Sequence, residues 1–232
     1  MPVNIVTPNN LAGTEGAIDN GYPFSVAETM RYQQVYNASQ FGSLAGGGMI
    51  TAIAFRPDAR YGYAFTHTIG NIRIDLSTTT AGPGGLSLTF ANNVGANDTT
   101  VFNGALTLSS AFTGSPAGGP RNFDIVIQLT TPFFYNPAAG NLLLDIRDFS
   151  SGNSGGTLLP QLDATRADPT LVGRVYAFDA SAMSAPYSFQ QDTIGLVTRF
   201  TASVPDSGAA TGLLLGLTGL MLIKKRQLAR TV

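Results

Sequence analysis

A single histidine, His67, lies in Ala64-Phe65-Thr66-His67-Thr68-Ile69. A serine nucleophile would need it as a general base, held by a third group that orients the ring. No Gly-x-Ser-x-Gly accompanies it, and Gly152-Asn153-Ser154-Gly155-Gly156 has the wrong order and reads as a flexible loop. One histidine also excludes a histidine-rich transition-metal site, and the absence of cysteine excludes thiol catalysis, disulfides and thiolate ligands. Hydrolysis of a glycosidic bond by carboxyl groups needs two of them facing across a cleft. The only glutamates, Glu15 and Glu28, precede the strand-rich region; Asp145 and Asp148 fall at a strand end, and Asp163 and Asp168 in a loop. Nothing in the spacing selects a catalytic pair, and turn-forming or solvated roles suit most of these aspartates. Asn92-Asn93 and Asn97-Asp98 make an oxygen-rich loop after a strand, so these four residues are the calcium candidates, although no EF-hand pattern is present and turn chemistry explains them equally well. Gly46-Gly47-Gly48 precedes a strand and lacks the helix N-terminus that would hold a phosphate. Tyr61, Tyr63 and Tyr187 stand in polar, loop-like contexts where an aromatic ring could carry a sugar, although the chain has no tryptophan.

The elements that would position these residues read as strands. Ile72, Ile74 and Leu76 alternate with Arg73, Asp75 and Ser77; Leu86, Leu88 and Phe90 alternate with Ser87, Thr89 and Ala91. The same period of two runs through Phe123, Ile125, Ile127 and Leu129, and through Leu142, Leu144 and Ile146, and it marks strands with one apolar face. Segments 49–56, 101–109, 174–178 and 194–202 are further strand candidates, and segment 27–36 tolerates either a helix or a strand. Glycine- and proline-rich stretches at 81–85, 114–120, 136–140 and 150–156 separate them. Many short strands joined by such turns predict an all-β, antiparallel two-sheet sandwich of jelly-roll type.

Composition predicts three regions: a loop-like N-terminal extension over 1–23, a β-sandwich over 24–203, and a distinct tail over 204–232. Charged residues make up only 12% of the chain, half the usual share, which suits an exported, loop-rich β protein. The residues before the tail's apolar run hold nine arginines against fourteen acids, a formal charge of −5. With no basic stripe, nucleic-acid binding is not expected.

The tail has three parts. Val204-Pro205-Asp206-Ser207-Gly208 comes first, then an apolar run from Ala209 to Ile223, then Lys224-Lys225-Arg226-Gln227-Leu228-Ala229-Arg230. Both lysines of the chain lie in this basic end, so the positive-inside rule places the end in the cytoplasm and the preceding domain outside. A 15-residue helix covers roughly 22 Å, short of the ~30 Å core of a bilayer; snorkelling of Lys224 and Lys225 with some local thinning closes the gap. Gly208, Gly212 and Gly216 would line one face of that helix. Val204-Pro205 should be extended, with Asp206 or Ser207 capping the helix that follows.

This arrangement resembles the PEP-CTERM sorting signal of Gram-negative bacteria in its Val-Pro-Asp-Ser-Gly variant. The resemblance covers 204–230: Val204, Pro205, Asp206, Ser207 and Gly208 match the motif, Gly212 to Ile223 the span, and Lys224, Lys225 and Arg226 the basic stop. The usual form has Glu where this chain has Asp206. The resemblance implies a non-enzymatic exported protein, held in the inner membrane as a precursor and passed to the cell envelope or an extracellular polysaccharide matrix by an exosortase-like membrane enzyme. No cofactor is implied. Segment 1–8 has neither the basic nor the apolar region of a signal peptide, so an export signal is expected upstream of Met1. A carbohydrate-binding module and a glycoside or polysaccharide hydrolase are the alternative expectations.

Overall fold

The computed structural model describes residues 2–26, 28–114, 119–150, 159–166 and 168–204. The strands, in chain order, are β1 (Pro2–Thr7), β2 (Ile18–Asn20), β3 (Met30–Tyr36), β4 (Gly48–Phe55), β5 (Phe65–Thr79), β6 (Thr99–Ser110) and β7 (Ile125–Tyr135). They continue with β8 (Asn141–Asp148), β9 (Leu162–Thr165), β10 (Val172–Ala177), β11 (Gln191–Asp192), β12 (Gly195–Leu196) and β13 (Thr198–Ser203). One sheet has the order β1-β13-β4-β7 and a second β11-β10-β3-β8-β5-β6; a small third sheet runs β12-β9-β2. The paired strands are antiparallel.

The period of two has its expected consequence at β5 and β8. Ile72, Ile74, Leu76, Leu142, Leu144 and Ile146 are fully buried and share one core with Ile50, Ile53, Phe55 and Phe200 from the opposite sheet. The two sheets therefore face each other as a sandwich. Tyr36 and Phe200 meet edge-to-face across the interior, with centroids 5.1 Å apart, and the Tyr36 hydroxyl lies 2.8 Å from Thr198 Oγ1. That hydrogen bond satisfies the one polar atom that tyrosine brings into the core.

Two expectations are corrected here. The N-terminal segment is not a loop-like extension: β1 pairs along its whole length with β13, and β2 pairs with β9, so the folded domain begins before residue 24. Val3 and Ile5 pack into the core, a short alternation beside prolines that is easily overlooked. The alternation from Leu86 to Phe90 is not a strand either. It leads into a 3-10 turn at Phe90–Asn93, and Leu86, Leu88 and Phe90 pack against Val35, Leu143 and Val175 on the outer face of the larger sheet. A covering loop that lies on a sheet also needs apolar residues on one side, and it mimics a strand's period.

Of the segment that tolerated either assignment, Met30–Tyr36 is a strand, central in its sheet and buried along its length. The motif residues Pro205 to Gly208, the span Ala209 to Ile223 and the basic end lie outside the described residues. Among the described residues no helix is long and apolar enough to cross a membrane.

Candidate functional site

Among the described residues, two places that bring carboxylates and arginines together bear on the sequence candidates. The first lies where the segment after β1, the segment after β4 and β9 converge. Asp163, expected in a loop, is in β9 and fully buried. Its Oδ2 accepts a hydrogen bond from Arg56 Nε at 2.6 Å, and its Oδ1 accepts one from the Gly16 amide at 2.8 Å. Gly16 must be glycine for this approach, because a Cβ would collide with the Ala164 carbonyl. Arg56 reaches back to the N-terminal segment, donating to the carbonyls of Leu11 at 2.9 Å and Thr14 at 2.6 Å.

Glu15 and Asp58 complete the group: a carboxylate oxygen from each of Glu15, Asp58 and Asp163 lies within 4.8 Å of the others. Glu15 Oε1 accepts from the Ala59 amide at 2.7 Å, whereas Oε2 is buried without a hydrogen bond. The hydrogen bonds that the Asp58 side chain accepts, from the amides of Arg60 and Tyr61, both fall on Oδ1. Burial pushes the Glu15 carboxyl up, and the charges of Asp163 and Asp58 push it further against the opposing Ala59 hydrogen bond and the Arg56 charge. Burial also raises Asp163, with Arg56 pulling the other way. Glu15 and Asp58 line a pocket of about 230 Å³, together with Asp19, Arg60 and the half-exposed Tyr61.

The second place is the outer face of the larger sheet. The register puts Arg31, Arg147 and Arg73 side by side on β3, β8 and β5, and it puts Gln33, Asp145 and Asp75 in the next row on that face. Arg31 grips Asp145 through Nε at 3.3 Å and Nη2 at 2.7 Å, and Gln33 Nε2 donates to the same carboxylate at 2.8 Å. Arg73 Nε and the Thr100 hydroxyl both donate to Asp75 Oδ1. Arg147 stands only 3.9 Å from Asp145 and is more open to solvent. Each row of like charge is thus stitched to a row of opposite charge, and the covering loop with Phe90 excludes water from one end, its ring 4.6 Å beneath the Arg31 guanidinium.

The other sequence candidates separate. His67 lies on β5 opposite Leu108, and among the described residues no hydrogen bond joins it to a serine or a carboxylate. Of the calcium candidates, Asn93 Oδ1 accepts from the Ser87 amide, Asn97 Oδ1 from the Thr78 amide, and Asn92 Nδ2 donates to Ser87. These are loop-tying contacts. Asp98 is exposed, and its carboxyl is raised by desolvation and then by the charges of Asp75 and Asp145. Asp168 caps a turn through Thr170. In Gly46-Gly47-Gly48, Gly47 takes a left-handed conformation at φ +81° in the turn that leads into β4. Tyr187 stacks on Phe189 with ring centroids 5.1 Å apart and planes at 8°, and both rings are mostly exposed. The sequence pointed to Tyr187, but Phe189 carried no mark of its own.

Asp148 ends β8 buried, with Oδ1 accepting from the Ser150 amide at 2.9 Å. Burial raises its carboxyl from 3.8 to about 6, although the Ser150 hydrogen bond pulls it down. A folded-state pKa above the unfolded value means stability that is complete below about pH 4 and lost as pH rises through about 6. Asp148→Asn keeps an acceptor for Ser150 and cannot ionise. It is expected to flatten that slope and to raise stability near neutral pH. Urea unfolding at about pH 4.5 and about pH 7.5 measures both, and a slope unchanged by the substitution would show that Asp148 is not its source.

Comparison with protein-family models, curated proteins and solved structures gives no match to this chain.

Proposed function

We propose that this chain is an exported, non-enzymatic protein of the bacterial envelope or extracellular matrix, sorted through its C-terminal segment by an exosortase-like membrane enzyme. The observation that carries this reading is the order of motif, apolar run and basic end over 204–230. The fold supports it in one respect: β13 ends at Ser203, and the motif begins at the next residue, directly outside the last strand. We read the eight strands β1, β3 to β8 and β13 as a jelly roll, in which β1-β13-β4-β7 faces β3-β8-β5-β6 and β10 and β11 extend the second sheet. Such a domain forms a stable module that a tail can deliver.

The test is Pro205→Ala combined with Asp206→Ala in the host cell. The domain should stay folded while tail processing stops, and the mass of the mature protein reports it. A mature mass identical to the parent's would make these five residues a linker.

A second reading, a surface carbohydrate-binding module with an exopolysaccharide as partner, is favoured by the exposed Tyr187–Phe189 pair and the half-exposed Tyr61 and Tyr63. Flat aromatic faces open to solvent are what sugar rings stack on. A glycan array with the full chain in mild detergent tests it: binding abolished by Tyr187→Ala supports the module, and turnover sensitive to one Asp→Asn change would indicate a hydrolase instead.

A further inference from the structure

We propose, resting on the reading of 209–223 as a segment that enters a bilayer, that the rim of the sandwich from which the tail departs docks on that lipid surface, with the Phe134 ring as its anchor. The ladders put Pro2, Ser203, Met49 and Phe134 side by side on β1, β13, β4 and β7, in one row across the four-stranded sheet. Phe133 and Tyr135 turn into the core, so Phe134 turns outward, and it is 52% exposed. Its ring lies against Gly47, in the turn that leads into β4, where a Cβ would collide with it. The ring is thus held at the rim of the sheet, in the row where β13 stops.

A single exposed phenylalanine is ordinary on a protein surface. The charge around this one is not. No charged residue occurs in 2–14, 32–55, 125–144 or 200–205. Those segments supply the row itself and the two 3-10 turns that close the same end of the sandwich, Ala38–Leu44 and Pro137–Ala139, which touch each other. Ala45, Gly46, Ala138 and Ala139 are exposed there, small residues that let a flat surface come close. The nearest charge along β13 is Arg199, four residues before Ser203, or ~14 Å at ~3.4 Å per residue. The larger sheet carries Asp98 before β6 and Asp168 before β10 at this end, so the rim of the four-stranded sheet is the part that faces lipid. The chain before the apolar run holds nine arginines against fourteen acids, and an anionic bilayer repels such a domain. This rim has no charge to be repelled or desolvated.

The length of the tether names the occupant. Val204 packs against the core, partly buried, which leaves Pro205 to Gly208 before the apolar run begins at Ala209. Four residues reach at most ~14 Å, at ~3.5 Å each. A domain held that close to a bilayer leaves little room for another partner between them, and the rim beside Ser203 is the part the tether holds nearest. Docked this way, the domain would present the Val204–Gly208 motif at the membrane surface, where a membrane enzyme meets it.

The chain has no tryptophan, so Phe134→Trp introduces a lone fluorescent reporter. The full chain is reconstituted into phosphatidylcholine vesicles whose acyl chains carry bromine just below the headgroups, and flotation shows whether it has inserted. Emission of the Phe134→Trp protein should fall at least about twofold against unbrominated vesicles, since interfacial side chains sit ~5–10 Å into the boundary of headgroups and acyl chains. Tyr187→Trp is the comparison. Tyr187 follows β10, whose Val172 end pairs with Tyr36 and whose Ala177 end pairs with Arg31, so it lies at the opposite end of the sandwich and should stay unquenched. Ala45→Trp, on the docking rim, should behave as Phe134→Trp does, and it decides the matter if Phe134→Trp misfolds. A chain that floats with the vesicles while neither rim reporter is quenched would overturn the docking and leave the anchored tail standing. Equal quenching of Tyr187→Trp would also overturn it, because the domain would then have no preferred face. A chain that fails to float would overturn the membrane reading and the docking with it.

Discussion

Arg56→Met is expected to lower the free energy of unfolding by about 3–5 kcal/mol. Arg56 and Asp163 are both almost wholly enclosed, and the bond between them measures 2.6 Å. Methionine keeps most of the stem volume, so the loss would come from charge and hydrogen bonding. Asp163 would be left buried opposite Glu15 and Asp58, and the carbonyls of Leu11 and Thr14 would lose their donor. The stacking of the guanidinium over Phe123, at 4.8 Å, would go as well. Urea unfolding measures the change. A loss below about 1 kcal/mol would mean that the pair only balances its own desolvation. Arg56→Met with Asp163→Leu should recover much of the deficit, since the harm lies in an unpaired buried charge.

Asp145→Leu is expected to cost a similar amount, about 3–5 kcal/mol, while Arg147→Ala should change stability by no more than about 1 kcal/mol. The difference rests on enclosure and geometry. Asp145 accepts from Arg31 twice and from Gln33 once, and both ionic partners are buried. Arg147 is 3.9 Å from the same carboxylate, with 27% of its side chain exposed, and it stands between Arg31 and Arg73 in the register. Removing it gives up a weak attraction and relieves two repulsions. Chemical denaturation of the two variants side by side decides the matter: if Arg147→Ala were the more damaging, the aspartate row would not be what holds this face together.

Where the side-chain period and the burial pattern agree, the chain could be read directly. Ile72 to Leu76 and Leu142 to Ile146 alternate because one face of each strand meets the opposite sheet, and both segments are strands with those residues in the core. The failures have physical causes. Leu86, Leu88 and Phe90 are apolar because the loop that bears them covers a sheet, and the sequence does not distinguish a cover from a strand. β1 is six residues long beside two prolines, and its apolar face has meaning only once β13 lies next to it. Met30–Tyr36 carries arginine and two glutamines in a buried strand because Asp145, Asn93 and Leu196 lie within hydrogen-bond reach, a fact of tertiary structure. The acidic group escaped for the same reason. In the sequence Glu15 lies ahead of the strand-rich region, whereas β2 and β9 bring residues around positions 15–20 and 163 into contact across most of the chain. No local spacing encodes such a meeting.

The placing of β13 also sets a schedule for folding. Its ladder with β1 joins Pro2 to Ser203, and on its other side it joins β4, so the four-stranded sheet closes around the last of the described strands. Until that strand is available, β1 has no neighbour in its sheet and β4 shows a bare edge toward it. Pairing across such a separation is slow, because most of the chain must be confined before any of these bonds form. A chain crossing a membrane from its N-terminus would therefore arrive with its first strand waiting, exposed to wrong partners, until residue 203 had passed.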